Sequence, residues 1–377
     1  MSPSSSPETA QDTLAPYRAP RRITVVTDAW HPQVNGVVHT WSYMQREVAA
    51  LGHRLDVIDP KGSRGFRAPG EPDLLLSTEP FRHVGRGFER GRPTSLHIAT
   101  EGPLGFAARH IALRHGWQFT TSYHTRFPEY LKARFGLPAG LTYRAMRRFH
   151  RPSRQILVPT EAMRRELAAR GFERTRIWSR GVDTAAFRRG PRTALDLPRP
   201  IFLYAGRVAP EKGLEAFLAL DLPGSKVVVG DGPDRARLQA LFPAAHWLGM
   251  REHCTLGAYY DAADVFVFPS RTDTFGLVML EAIACGCPVA AFPVTGPIDV
   301  VTPGVNGILH DDLRVACLAA LQLDRARVRA SVEQRHWRAI AEDLLTALVP
   351  LESAAPSEPL AHDRPDGAAG ASLEASR

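Results

Sequence analysis

Short β-branched runs alternate with helical patterns along most of the chain. Residues 23–27 (ITVVT) are typical of a buried parallel strand. From Val38 to Leu51 apolar residues recur at every third or fourth position, and Gly52 stands where such a helix would end. Another apolar run over 55–58 completes a strand, helix, strand unit. This order predicts an α/β fold built on a parallel sheet.

The same alternation continues and is interrupted once. Further strands are predicted at 96–99, 119–123, 156–158, 201–205, 226–229, 265–268 and 288–292. The segment 188–200, rich in proline and arginine, breaks the pattern and is typical of an interdomain linker. A chain of 377 residues is long enough for two domains. We therefore expect two Rossmann-like, doubly wound domains over 21–187 and 201–335, a cleft between them, and a C-terminal helix over 336–350.

Composition adds the expected surroundings of these domains. Residues 1–20 and 351–377 are rich in Ser, Pro, Ala and Glu and are predicted to be disordered tails. There is no run of about 18 apolar residues, and the N-terminus lacks the apolar core of a signal peptide. Hydrophobic residues make up 44% and charged residues 23% of the sequence, as in globular proteins. We expect a cytoplasmic location.

The stretch 270–288 (SRTDTFGLVMLEAIACGCP) carries the most specific chemistry. It predicts a strand, a loop and then a helix capped by Thr274, with Gly276, Leu277 and Val278 in the first turn. Free N–H groups and the helix dipole make such a helix start an anion site when it follows a parallel strand. This segment is therefore a candidate phosphate-binding site.

Two carboxylates flank that helix start. Asp273 precedes the helix and Glu281 lies eight positions later, in its second turn. Carboxylates accept hydrogen bonds from hydroxyl groups strongly, so one is suited to sugar hydroxyls and the other to ribose hydroxyls. In isolation each would be read as a helix cap or a solvated surface residue, and only the surrounding motif favours a site.

Two further segments of the second half could contact the same ligand. In 204–213 (YAGRVAPEKG), Arg207 and Lys212 bracket a loop after a strand and could neutralise a diphosphate leaving group. The alternative is a pair of surface salt bridges. In 227–233 (VVVGDGP), a glycine turn containing Gly232 could bring backbone close to a flat ligand, although GDG alone is a weak signal.

The first half offers fewer candidates. Asn35 and Gly36 follow the first strand, where open N–H groups could meet the diphosphate from the opposite wall. His124 follows another strand in the segment TTSYHTRFPEY. A lone histidine is more often a packing residue, but its place at a strand end favours a position near the reacting sugar.

These segments together resemble glycosyltransferase family 4 enzymes of GT-B fold over about 21–345. The matching segments, in the family's order, are VTDAWHPQVNGVV, TEGPLG, SYHTRFPEYL, GVDTAAF, GRVAPEKG, VGDGP and ADVFVFPSRTDTFGLVMLEAIACGCPV. They are similar to bacterial GDP-mannose-dependent α-mannosyltransferases and related glycolipid glycosyltransferases. The resemblance implies transfer from a nucleotide-sugar donor, GDP-mannose or a UDP-sugar, with retention of configuration and without a metal or other cofactor.

The resemblance also implies roles for individual residues. Arg207 and Lys212 would contact the donor diphosphate with Gly36 beneath it, Glu281 would hold the ribose, and His124 and Asp273 the sugar. The implied catalytic set is His124, Asp273, Arg207 and Lys212. The implied donor-binding set is Asn35, Gly36, Arg207, Lys212, Gly232, Asp273, Phe275, Gly276, Leu277, Val278 and Glu281. Asp273 stands where the family more commonly has glutamate. Its side chain is one methylene shorter, which implies a repositioned contact to the 3- and 4-hydroxyls of the donor sugar.

Charge bears on the acceptor and on rival functions. The formal net charge of +8 favours anionic partners, and the densest basic run, Arg144 to Arg154, is either a solvated helix face or a membrane-surface patch. We expect a lipid acceptor, such as diacylglycerol or a phosphoinositide-like glycolipid, at the inner face of the membrane. A soluble or polysaccharide acceptor is the alternative. A non-catalytic nucleotide-binding or nucleic-acid-binding protein is the rival of another class, and we expect no nucleic-acid partner. The four cysteines lack zinc-site spacing, so no metal site is predicted.

Overall fold

The computed structural model describes residues 19–351, apart from 34, 69–70, 130–131 and 133–135. Of the two predicted tails, only residues 19, 20 and 351 fall within this range. The described chain forms two six-stranded parallel sheets, each flanked by helices. This confirms the predicted α/β class with two Rossmann-like domains.

The first sheet has the strand order β2-β1-β5-β6-β7-β8. The strands of this half are β1 Arg22–Val26, β2 Arg54–Ile58, β3 Gly65–Ala68, β4 Glu71–Ser77, β5 Ser95–Ile98, β6 Thr120–Ser122, β7 Ile156–Val158 and β8 Thr175–Ile177. Its helices are α1 Gly36–Ala50, α2 Pro80–Gly91, α3 Pro103–Arg114, α4 Ala139–His150 and α5 Glu161–Ala169. β1 pairs with β2 on one side and β5 on the other, so the strand order reverses beside β1. Such a reversal opens a crevice at the carboxyl ends of the strands.

The second sheet has the order β11-β10-β9-β12-β13-β14. Its strands are β9 Ile201–Ala205, β10 Ser225–Val229, β11 His246–Gly249, β12 Val265–Phe268, β13 Val289–Ala291 and β14 Gly307–Leu309. The α-helices that follow are α6 Leu214–Leu218, α7 Arg235–Leu241, α8 Leu256–Ala262, α9 Leu277–Ala284, α10 Pro297–Val300, α11 Leu313–Ala320, α12 Arg325–Ala330 and α13 Trp337–Ala347. Two 3-10 turns cover Pro210–Lys212 and His253–Thr255. The order reverses here between β9 and β12, so the loops after these two strands are neighbours.

The final helix returns to the first domain. The ring of Trp337 in α13 stacks on Tyr43 of α1 with centroids 4.6 Å apart. Leu344 of α13 packs in the same buried cluster as Trp41 and Met44. The chain therefore passes between the domains twice, once near the 188–200 segment and once before α13.

The predicted strands and the helix α1 are present because their local signals are strong. In α1 the buried residues recur with helical spacing, and Asn35 caps the helix by accepting from the amides of Val37 and Val38. The sequence did not predict the antiparallel β3–β4 pair or the short strands β8, β11 and β14. In the part of the chain that the structure describes, no helix is both long and apolar enough to cross a membrane.

Candidate active site

The start of α9 lies at the cleft between the domains. Gly276 precedes the helix with a left-handed backbone (φ 85°), and no side chain caps the first turn. A Cβ atom at Gly276 would lie 2.8 Å from Met279 Cε and 2.9 Å from Phe268 Cζ, so only glycine fits. The amides of Leu277 and Val278 thus begin a helix that lacks a side-chain cap.

The prediction that Thr274 caps this helix is wrong, as is the placement of Gly276 within its first turn. No side chain caps the helix, and the Thr274 hydroxyl donates instead to the backbone oxygen of His124 at 2.8 Å. Thr274 therefore joins the two domains at the edge of the candidate site.

Lys212 and Asp273 meet beside this helix start. Lys212 ends the turn after β9, and its Nζ donates to Asp273 Oδ1 at 2.5 Å. The two loops meet because β9 and β12 are neighbouring strands. Asp273 Oδ2 is buried and has no hydrogen-bond partner among the described residues. One carboxylate oxygen is thus held by a cation, and the other is an acceptor still to be satisfied.

Arg207 and Gly232 lie on the loops that follow β9 and β10. The backbone oxygen of Arg207 accepts from the Tyr204 hydroxyl at 2.7 Å, and its guanidinium lies 4.0 Å from Glu211. A Cβ atom at Gly232 would lie 2.3 Å from the backbone oxygen of Val208. The close backbone approach expected at Gly232 is therefore made to a neighbouring protein loop.

Glu281 is more deeply buried than a helix-surface glutamate, with 8% of the residue exposed. Its Oε2 accepts from the Tyr260 hydroxyl at 3.1 Å, and its Oε1 lies 2.9 Å from His253 Nε2. Phe275 lies nearby, but its side chain packs in the hydrophobic core, so only its backbone can reach a ligand.

The contact with Glu281 shifts the pKa of His253. Burial lowers the pKa of His253, but the hydrogen bond and charge of Glu281 more than offset burial, so the pKa lies above its usual value. The His253 ring also contacts the ring of His39 in α1, with centroids 4.4 Å apart. Burial, followed by the charge of His253, lowers the pKa of His39. The two domains therefore meet here through a histidine pair.

The helices α1 and α9 begin close to each other across the cleft. Gly36 is the first residue of α1, and a Cβ atom built on it would lie 3.8 Å from Leu277 Cδ1. Each helix start carries a partial positive charge of about half an elementary charge. The arrangement brings the two helix starts and Lys212 of the second domain to one region of positive potential. At the α1 start the Asn35 side chain already accepts from the amides of Val37 and Val38, so the open N–H groups expected there are not available at these two residues.

His124 follows β6 on the opposite wall and is nine-tenths buried. Its Nε2 lies 3.1 Å from Trp41 Nε1, and its Nδ1 lies 2.9 Å from Arg180 Nη2. Burial, then the charges of Arg180 and His97, hold the pKa of His124 well below its usual value. The imidazole is consequently neutral at physiological pH.

Several partners of these residues were not singled out from the sequence. Trp41 has the spacing of an ordinary core position in α1, and Arg180 follows a strand too short to predict. His253 precedes α8 and Tyr260 lies within it, and this helix carries no recognisable motif. Only Arg180 adjoins a segment that resembles the family, GVDTAAF. Among the described residues, no group of three or more His, Cys, Asp or Glu side chains could hold a metal ion.

Comparisons with known proteins show the family to which the chain is similar. A family model described as Glycosyltransferase Family 4 matches residues 34–186, and one described as Glycosyl transferases group 1 matches residues 199–323. A GDP-mannose-dependent alpha-mannosyltransferase of Mycobacterium tuberculosis is 32% identical, over 86% of this chain and 95% of that protein. The alpha-monoglucosyldiacylglycerol synthase of Acholeplasma laidlawii is 26% identical, over 71% of this chain and 79% of that protein.

Solved structures show the same architecture. The structure of HepE from Anabaena in complex with UDP and glucose matches with a TM-score of 0.66. The match covers 87% of this chain and 99% of that one at 16% identity. At this identity the likeness concerns the fold alone.

Proposed function

The chain belongs to glycosyltransferase family 4 and is a glycosyltransferase that uses a nucleotide-sugar donor, and on this premise we propose its reaction and acceptor. It transfers a hexosyl group, mannose or a related sugar, to a lipid with retention of anomeric configuration. The observation that carries the proposal is the buried, unpartnered Oδ2 of Asp273 beside the Lys212 cation. A neutral sugar hydroxyl suits that oxygen and an anionic phosphate suits the cation.

The donor occupies the cleft in a single orientation. The diphosphate lies between the starts of α1 and α9, where Arg207 and Lys212 also supply positive charge. Lys212 has three N–H donors, of which Asp273 takes one, so two stay available for phosphate oxygens. The ribose contacts Glu281, and the sugar contacts Asp273 and His124.

Charge stabilisation drives the chemical step. The bond between the anomeric carbon and the phosphate oxygen breaks, and the nucleotide diphosphate leaves as an anion held by Arg207, Lys212 and the α9 amides. The acceptor oxygen bonds to the anomeric carbon on the same face, and its proton passes to the departing phosphate. This scheme uses no protein nucleophile and no metal ion.

A membrane-bound acceptor is supported by the surface of α4. Tyr143, Met146 and Phe149 bury one face of this helix. The opposite face exposes Arg144, Arg147 and Arg148, and the exposed Arg151 follows the helix end. Leu141 is 63% exposed beside these arginines. Basic residues near an anionic bilayer contribute about 1 kcal/mol each, and an exposed apolar side chain adds to that attraction. We therefore place the protein peripherally on the inner face of the cytoplasmic membrane.

The name of the Acholeplasma laidlawii relative, a synthase of a glucosyl diacylglycerol, also supports a lipid acceptor. A soluble or polysaccharide acceptor is compatible with the same donor site, and the experiment below separates the two. We do not propose the non-catalytic nucleic-acid binder, because the chain belongs to a family of transferases.

Incubation of the purified protein with a panel of GDP- and UDP-sugars, with and without bacterial inner-membrane lipid extract, tests the proposal. Mass spectrometry of the products identifies the donor and the acceptor class together. We expect a glycolipid to form from at least one donor only when lipid is present. In a further arm soluble saccharides replace the lipid; a glycosylated saccharide in that arm would favour the soluble acceptor, and no product with any donor or acceptor would overturn the proposal.

A further inference from the structure

Arg180 is a buried cation beside the candidate site. It follows β8, and only 5% of the residue is exposed. Its Nη1 donates to the backbone oxygens of Trp178 and Ser179 at 2.7 and 3.0 Å, and its guanidinium lies over the Trp178 ring. Within the described ranges no carboxylate pairs with it. Burial of a charge without a counter-charge is costly, so its hydrogen-bond partners must offset that cost.

One of those partners is His124. Arg180 Nη2 lies 2.9 Å from Nδ1 of the imidazole, while Trp41 Nε1 lies 3.1 Å from Nε2. A guanidinium and an indole are donors only. A neutral imidazole has one accepting nitrogen, and an imidazolium has none. The ring therefore cannot satisfy both neighbours at once.

The two donors differ in strength. The hydrogen bond from Arg180 is charge-assisted and has the shorter heavy-atom distance, whereas the indole N–H is neutral. A buried cation also loses more than a neutral N–H when its acceptor is removed. The Nδ1 lone pair of His124 is therefore assigned to Arg180, which leaves the ring proton on Nε2.

We propose that Arg180 is a positioning residue that fixes His124 as the Nε2–H tautomer. Given the function proposed above, this tautomer excludes the ring as a proton acceptor through Nε2, which lies against the donor-only indole of Trp41. Arg180 thereby holds His124 in one protonation state and one orientation beside the bound sugar. Arg180 itself does not touch the substrate.

The tautomer can be measured directly by nitrogen NMR of the histidine rings in protein labelled with ¹⁵N-histidine. The His124→Gln variant identifies the His124 signals. We expect the wild-type ring to carry its proton on Nε2, with Nδ1 unprotonated. A proton on Nδ1, or a doubly protonated ring, would overturn the proposal without any need for a variant.

Variants then test whether Arg180 is the cause. Arg180→Met should shift the His124 proton toward Nδ1, because Trp41 becomes the stronger donor, and Arg180→Lys should retain Nε2–H. An unchanged tautomer in Arg180→Met would contradict the role of Arg180. Arg21→Met is a matched control, since Arg21 is 4% exposed and donates to the backbone oxygen of Leu345. It reports the general effect of removing a buried arginine from this domain.

Kinetics separate this inference from the proposed function. Arg180→Met should lower kcat by roughly ten- to a hundredfold with little change in KM for the donor, and Arg180→Lys should restore most of it. Arg21→Met should leave the His124 signals and kcat near wild type. If no sugar donor supports transfer, the proposed function fails while the NMR result still decides the tautomer. Normal kcat in a folded Arg180→Met would contradict the inference alone.

Discussion

Lys212 and Asp273 lie 61 positions apart in the sequence, and their side chains form a salt bridge of 2.5 Å at the start of α9. The pair lies at the cleft, with 26% and 22% of the two side chains exposed. Each partner therefore limits the freedom of the other, and this restraint supports the proposal that a phosphate and a sugar bind side by side here. The contact depends on the adjacency of β9 and β12, which no local sequence signal encodes.

Loss of Lys212 should impair transfer. Lys212→Ala removes a cation from the leaving group and frees Asp273 from its partner, so we expect kcat/KM to fall about ten- to a hundredfold, equivalent to about 1.5 to 3 kcal/mol. Circular dichroism and thermal unfolding should show a retained fold. Lys61→Ala, at an exposed lysine of the first domain, is the control. Near-normal turnover in Lys212→Ala would remove this residue from the donor site.

Glu281 should affect both transfer and stability. Glu281→Ala deletes the proposed ribose contact and also leaves the Tyr260 hydroxyl and the His253 ring without their acceptor. We expect most of the transfer activity to be lost and the free energy of unfolding to fall by roughly 1 to 3 kcal/mol. Chemical denaturation and donor kinetics measure the two effects. Glu342→Ala, at an exposed glutamate of α13, is the control, and wild-type kinetics in Glu281→Ala would contradict the assignment.

The contribution of His253 to stability should depend on pH. Its pKa is raised in the folded protein, so its stabilising effect is fully present below the unfolded value of about 6.5 and is lost as the pH rises through the folded pKa. The free energy of unfolding of the wild type should exceed that of His253→Gln by on the order of 1 kcal/mol near pH 6, and by less near pH 9. Thermal unfolding at both pH values measures this difference, with His246→Gln as the control. A difference that grows toward alkaline pH would refute the ion pair.

Membrane binding should depend on the α4 arginines. Replacement of three of them by glutamate should reduce binding to anionic liposomes by at least a hundredfold, since each contributes about 1 kcal/mol. The variant combines Arg144→Glu, Arg147→Glu and Arg148→Glu. A matched control on α2 makes the same change at the exposed Arg82, Arg86 and Arg90. Flotation at low and high salt is the measurement. Failure of the wild type to float under any condition would favour a soluble acceptor.

Local sequence patterns predicted those strands and helices whose own residues show a clear hydrophobic periodicity. The β-branched run of β1 and the helical spacing of α1 were sufficient to predict both elements. The strands β11 and β14 have four and three residues, and they are stabilised by pairing with β10 and β13 rather than by their own sequences. Such short edge strands give no periodicity to detect.

The sequence predicts a list of candidate site residues, but it does not predict the contacts that these residues make. Thr274 has the chemistry of a helix cap, but in the structure its hydroxyl donates to the backbone oxygen of His124 in the other domain. The partners of His124 are 56 and 83 positions away, so Arg180 and Trp41 could not be assigned to it from spacing. Tertiary packing determines these contacts, and no local sequence pattern predicts them.

The configuration of the product is the most direct test of the proposed retaining, metal-independent transfer. Proton NMR of the anomeric signal, recorded as the protein transfers a hexose from an α-linked nucleotide sugar in the presence of EDTA, reports stereochemistry and metal dependence together. We expect an α-linked product formed at a rate that EDTA leaves largely intact, because in the proposed reaction Arg207, Lys212 and two helix starts supply the charge that a metal would otherwise provide. A β-linked product, or activity lost with EDTA and restored by magnesium or manganese, would contradict it.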